Sequence, residues 1–131
     1  MKIPENAHSL RCYFTWMGED GIARTKVKPG SEVVLEDAQE NSVVVNGFYV
    51  DRKFPLMIDA RGIKSISRDA RNFFTTNGRA TNTLAFAILI DSSVSKVVGN
   101  FFLGINKPAV PTKLFLDETS AAEWLKKFKV K

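Results

Sequence analysis

The 131-residue chain holds one cysteine, Cys12, and one histidine, His8. A lone cysteine excludes an internal disulfide, and with a single histidine the chain offers neither a zinc cluster nor a His-rich metal site. No unbroken apolar run exceeds the seven residues 84–90, against the roughly 20 that a membrane-spanning helix needs. The first residues, Met1-Lys2-Ile3-Pro4-Glu5-Asn6, lack the apolar core of a secretory signal. Repeats, low-complexity tracts and long linkers are missing too, so a single domain is expected over 1–131. These absences predict a cytoplasmic protein in a reducing compartment, with Cys12 a small buried side chain and no metal or cofactor required.

What is present is a globular composition, 44% apolar and 25% charged, with ten phenylalanines and two tryptophans to build a core. The net charge of +5 is unevenly spread. Residues 1–60 carry seven Lys/Arg against nine Asp/Glu, and residues 61–131 carry twelve against five. The excess sits in Arg61, Lys64, Arg68, Arg71 and Arg79, and in the tail at Lys126, Lys127, Lys129 and Lys131. Such a surface can attract an anionic partner, or can simply be a solvated face with lysines at a helix C-terminus.

Apolar periodicity divides the chain into elements. Residues 10–17 and 22–27 flank Gly18-Glu19-Asp20-Gly21, which predicts an opening β-hairpin. Residues 33–50 fit a second hairpin or a helix. Glu36, Asp37 and Glu40 suit a first helical turn, and Val34, Ala38, Val45 and Phe48 share a face, so a helix over 35–49 is preferred. A buried strand over 54–58 ends at Asp59. Ser67 then caps a helix bearing Ala70, Phe73 and Phe74, closed by Asn77-Gly78. A central strand over 84–90 ends at Asp91, and Ser92 or Ser93 caps a helix with Val94, Val97, Val98, Phe101 and Ile105 on one face. A short strand over 113–116 precedes a last helix with Ser120 and Glu123 as a capping box and Ala121, Trp124, Leu125 and Phe128 as its buried stripe. Short apolar strands alternating with helices imply an α/β fold with parallel strands and right-handed crossovers behind an antiparallel hairpin, a mixed sheet.

This order, with Leu56-Met57-Ile58-Asp59, Ala70-Arg71-Asn72-Phe73-Phe74, Ile90-Asp91-Ser92 and Phe115-Leu116-Asp117-Glu118 running on to Trp124-Leu125, resembles the STAS fold of the bacterial anti-sigma-factor antagonists (SpoIIAA-like). The likeness is greatest to small uncharacterised STAS-like bacterial proteins. In the antagonists a serine at the start of the helix after an Asp-x-x-Gly strand end is phosphorylated. Asp59 and Gly62 match that strand end, but the usual Asp falls on Ser67 and the phosphorylated Ser falls on Arg68. A guanidinium cannot accept a phosphoryl group, so the resemblance implies the fold without that switch. Ser67 is then either a substitute acceptor or a plain helix cap.

Two candidate sites emerge. Asp59 and Asp91 each end a parallel strand, where open α/β sheets bind ligands. The helices after them start at Ser67 and at Ser92 or Ser93, with Arg61, Lys64, Arg68 and Arg71 nearby. A phosphate, carboxylate or acidic loop can dock there, unless the aspartates cap turns, the serines cap helices and the arginines are solvated. The second site comes from the doubled aromatics. Phe73-Phe74 and Phe101-Phe102-Leu103 place more apolar surface on two helices than one sheet contact requires, which marks a core, a homodimer interface or an apolar groove. No residue completes an acid–base pair with Asp59 or Asp91, His8 has no triad role, and nucleic-acid motifs are lacking. The expectation is a non-enzymatic regulatory or binding domain that acts through a protein partner and self-associates as a homodimer. The alternative is a carrier of a small apolar molecule, or a membrane-surface binder, using a groove between the two Phe-rich helices.

Overall fold

The computed structural model describes residues 1–48, 53–76, 83–91 and 111–128. Six strands form one sheet in the order β1 (His8–Ser9), β2 (Tyr13–Met17), β3 (Ala23–Val27), β5 (Phe54–Asp59), β7 (Thr83–Leu89) and β8 (Thr112–Phe115). The first three pair antiparallel and β3, β5, β7 and β8 run parallel, which is the mixed sheet the sequence predicts. Two shorter strands, β4 (Glu32–Val33) and β6 (Ser65–Ile66), pair parallel to each other. The described helices are α1 (Leu35–Gly47), α2 (Arg68–Thr76) and α3 (Glu118–Leu125), the last continued by a 3₁₀ turn at Lys126–Phe128. No described helix is long and apolar enough to cross a membrane.

The hairpin forms where expected. Gly18 N–H donates to Ile22 O at 2.9 Å, Gly21 takes a left-handed φ of 79°, and Asp20 accepts both prongs of the Arg24 guanidinium at 2.8 Å. Beyond it the strand order never reverses. Crossovers of the usual right hand that step the same way from β3 to β5 and from β5 to β7 put α1 and α2 on one face of the sheet, and the two helices do touch. There Tyr13 and Val27 pack with Val33, Ala38, Ile63 and Ala70. The opposite face belongs to α3. Met57, Ala85, Ala87 and Leu89 meet Ala121 and Leu125, all with no solvent exposure, while Phe115, Trp124 and Phe128 stack along the margin. The two sheet alanines lack the bulk to hold the helix off, so α3 closes tightly on this side.

Two expectations need correction. Val34, assigned to the buried face of α1, is its N-cap residue and is 38% exposed. The stripe that α1 buries is instead Asp37, Ala38, Asn41 and Val45, half of it polar, which is why periodicity left this segment ambiguous. Helix α3 begins earlier than the capping box implied. Asp117 is the cap, accepting from Ser120 N–H at 2.8 Å and from the Ser120 hydroxyl at 3.0 Å, so Ser120 lies inside the first turn. Asp117→Ala is expected to lower Tm by about 4 °C and Ser120→Ala by less than half of that. Thermal unfolding of the two variants checks the order, and a larger loss at Ser120 would return the cap to that residue.

Candidate functional site

The carboxyl ends of the parallel strands converge on Asp59. Strand alternation turns its side chain to the α3 face, in register with Lys26 on β3 and Leu89 on β7. The carboxylate is fully buried and its acceptors are filled. Oδ1 receives the Arg61 backbone N–H at 3.1 Å and its Nε at 2.9 Å, and Oδ2 receives Arg61 Nη2 at 2.8 Å and Lys26 Nζ at 3.3 Å. Burial alone would raise the Asp59 pKa, but the Arg61 hydrogen bonds and the Lys26 charge outweigh it and hold the carboxyl below its ordinary value. Arg61 also lies within the field of Asp91, Asp117 and Glu118, and Gly62 N–H reaches Asp91 Oδ1 at 3.4 Å. Among the described residues this end of the sheet thus holds four carboxylates around two cations, both of them engaged by Asp59.

Ser67, Arg68 and Arg71 lie on the other side of the sheet with α2. The Ser67 hydroxyl accepts from Ala70 N–H at 3.1 Å, and its backbone N–H donates to Val33 O at 2.9 Å. Ser67 is therefore the helix cap expected of it. Arg68 is exposed and Arg71 half-buried. The loops that start α1 and α2 are laced together. Gly30 N–H donates to Gly62 O at 2.8 Å and Lys64 N–H to Ser31 O at 2.9 Å, beside the short β4–β6 ladder. Gly62 has a φ of +82°, and a Cβ there would stand 3.4 Å from Pro29 Cα. With no reversal of strand order these neighbouring loops turn to the same face and close on each other, while the crevice expected beyond Asp59 and Asp91 involves the segment after Asp91, which lies outside the described residues.

The structure thus divides the predicted docking residues, with Asp59, Arg61 and Asp91 at one cluster and Ser67, Arg68 and Arg71 at another. Phe73 is half-buried and lines a cavity of about 70 Å³ between α1, α2 and the sheet. Ser92, Ser93, Phe101, Phe102 and Leu103, with the helix assigned to them, lie outside the described residues, as do the Phe74 side chain and the Asn77-Gly78 stop.

Four further residues hold these clusters. Lys26 neutralises Asp59, and Arg11 grips Asp37, with Nε donating to Oδ1 at 2.9 Å. Asp37 in turn accepts the Val34 N–H at 2.9 Å, supplying the N-terminal partner that the valine side chain cannot. Asn41 bonds across to Thr15 and Thr25. Burial raises the Asp37 pKa, and the Arg11 and Val34 hydrogen bonds more than offset this, so it too stays below its usual value. Every one of these contacts except Val34–Asp37 spans more than fifteen residues, so local pattern carries no sign of them. Asp59→Asn is expected to lower stability by about 3 kcal/mol at pH 7, since it leaves Arg61 and Lys26 without their counter-charge. A carboxylate with a depressed pKa stabilises the fold above its unfolded pKa and stops doing so as pH falls through the folded value. The gap between wild type and variant in urea titrations should hold at pH 5 and close progressively below about pH 4. A gap that persists to pH 2 would contradict the ionised pair.

Comparison with known proteins follows this geometry. A family model described as a domain of unknown function, DUF7793, matches residues 15–129. Among solved structures, an uncharacterised protein of the DUF3478 family from Shewanella loihica PV-4, described as having a SpoIIAA-like fold, superposes with a TM-score of 0.60. That match is 16% identical and covers 86% of this chain and 91% of that one. A protein of unknown function from Arthrobacter sp. FB24 is 33% identical over 85% of this chain and 90% of that one, with a TM-score of 0.33. No curated protein matches. The chain belongs to the DUF7793 family and has the SpoIIAA-like fold that its strand and helix order resembled.

Proposed function

We propose that the chain is a non-enzymatic regulatory binding domain that acts through protein–protein contacts, with the start of α2 as its docking surface. The observation that carries this reading is the pairing of Ser67 and Arg68. The serine hydroxyl is committed to the helix cap, and the exposed guanidinium stands beside it at the position where SpoIIAA-like antagonists carry their phosphorylated serine. A constant positive charge replaces a switchable negative one there. The partner that fits is a protein presenting an acidic loop, because a guanidinium fork receives carboxylates two bonds at a time.

Two features support the assignment. The β4–β6 ladder and the Gly30–Gly62 bond brace the loop before α2, so Arg68 projects from a rigid mount. The buried carboxylate at the sheet's end is saturated by Arg61 and Lys26 and has no acceptor left for proton transfer to a substrate. In affinity capture from the native host, Arg68→Glu should reduce recovery of the partner at least tenfold while shifting stability by no more than about 0.5 kcal/mol, as expected for an exposed side chain. Ser67→Ala should lower stability by about 1 kcal/mol through the lost cap and leave capture intact. Equal capture by the Arg68→Glu protein would overturn the reading, and so would loss of capture with Ser67→Ala alone.

A further inference from the structure

Helix α1 is joined to β2 and β3 by a closed ring of three side chains. Thr15 Oγ1 donates to Asn41 Oδ1 at 2.5 Å, Asn41 Nδ2 donates to Thr25 Oγ1 at 3.2 Å, and the Thr15 and Thr25 hydroxyls lie 3.3 Å apart. The single Thr15 proton is committed to Asn41, so Thr25 donates back to Thr15 and the ring closes. Each hydroxyl has one proton and an amide nitrogen has two. One Asn41 N–H therefore remains, and turning the amide by 180° reverses the ring but leaves the same surplus. Asn41 is 5% exposed, and it lines the cavity of about 70 Å³ under α1 and α2.

The remainder of that cavity is mostly apolar. Val27, Leu56, Ile58, Phe73, Phe86 and Ile88 line it, and none of the described lining residues carries a charge. Its position follows from the packing. On the α3 face the central residues Met57, Ala85, Ala87 and Leu89 have no exposure, whereas across the sheet Ile58 and Phe86 are only half-buried. Among the described residues, α1 and α2 meet each other and leave this cavity over the middle strands, where Leu56 and Ile88 are buried and Ile58 and Phe86 half-buried. Apolar atoms facing such a space forgo dispersion contacts, and a buried donor without an acceptor is costly. A single kind of occupant relieves both.

We infer that this cavity is a binding site for a small, largely apolar molecule bearing one hydrogen-bond acceptor, received by Asn41 Nδ2. The volume is about half of the ~150 Å³ that admits benzene, which sets the fit at a body of three or four carbons, or the end of a longer chain. A carbonyl is an acceptor that suits the site, since the buried Asn41 amide supplies a donor while the Thr15 and Thr25 hydroxyl protons are already engaged. An anion does not suit the site, since none of the described lining residues is a cation. This site goes beyond the docking surface at Arg68 and does not depend on it.

Titration of ¹⁵N-labelled wild-type protein with 2-butanone tests the inference directly. Saturable shifts are expected in one of the two Asn41 side-chain N–H signals and in the backbone amides of Ile58, Phe73 and Phe86. Val45→Phe, which fills the cavity from α1, should abolish saturation. Asn41→Leu, if folded, should weaken binding about fivefold, the equivalent of one neutral hydrogen bond. Shifts that rise linearly without saturating, or cavity signals that do not move, would overturn the inference. So would a water that stays bound to the Asn41 amide at saturating ketone, or undiminished binding by a folded Val45→Phe protein.

Discussion

Asp59 is a carboxylate with no solvent around it, and the end of the sheet is arranged to tolerate that. Its burial follows from position, because a residue on the central strand β5 that faces α3 has no route to water. An ionised carboxylate in such a place must be paired and hydrogen-bonded. Lys26 comes from the neighbouring strand by register, and Arg61 from the loop that leaves β5, wrapping back to supply three of the four bonds. That backward wrap sets the path of residues 60–67. It carries the chain over the carboxyl end of the strands, where Gly62 meets Pro29 and Gly30, and delivers Ser67 to cap α2 on the far face. The carboxylate and the docking surface are thus two ends of one loop.

Much of this was readable from residue order. The Gly-rich turn, the apolar strands at 54–58 and 84–90, Ser67 as a cap and the inward stripe of the last helix, with Ala121 and Leu125 buried and Trp124 and Phe128 half-buried, all follow from periodicity and capping chemistry, which act over a few residues. The α1 segment resisted because tertiary partners, and not apolar spacing, decide which of its faces is buried. Asp37 is turned inward by Arg11 and Asn41 by two threonines on different strands. The same limit applied at the site. Asp59 and Arg61 were visible as a strand end with a nearby cation, but their saturation depends on Lys26, whose approach requires the parallel register of β3 and β5. An alternating strand such as β3 shows which residues share a face and is silent on which neighbour that face will meet.

The two faces of the sheet have diverged in packing, and that asymmetry organises the functional proposals. Small sheet residues let α3 seal one side, making it scaffold. Among the described residues the other side bears two helices that are tied to each other through their entry loops and to the sheet through a polar ring at Asn41, with the cavity beneath them. Arg68 and the cavity both belong to this less complete side and share α2, which carries Arg68 outward and Phe73 inward.

Asp59 is an ion-paired anchor with no capacity to exchange protons near neutrality, and the rest of the fold around it depends on that. Following the Asp59 carboxyl carbon by ¹³C NMR across pH measures this directly. A midpoint below the ~3.9 of an unperturbed aspartate is expected, with the Arg61 Nε–H signal changing in step as the pair breaks. A midpoint above that value, or an Arg61 signal indifferent to it, would contradict the anchor and reopen Asp59 as a reactive group.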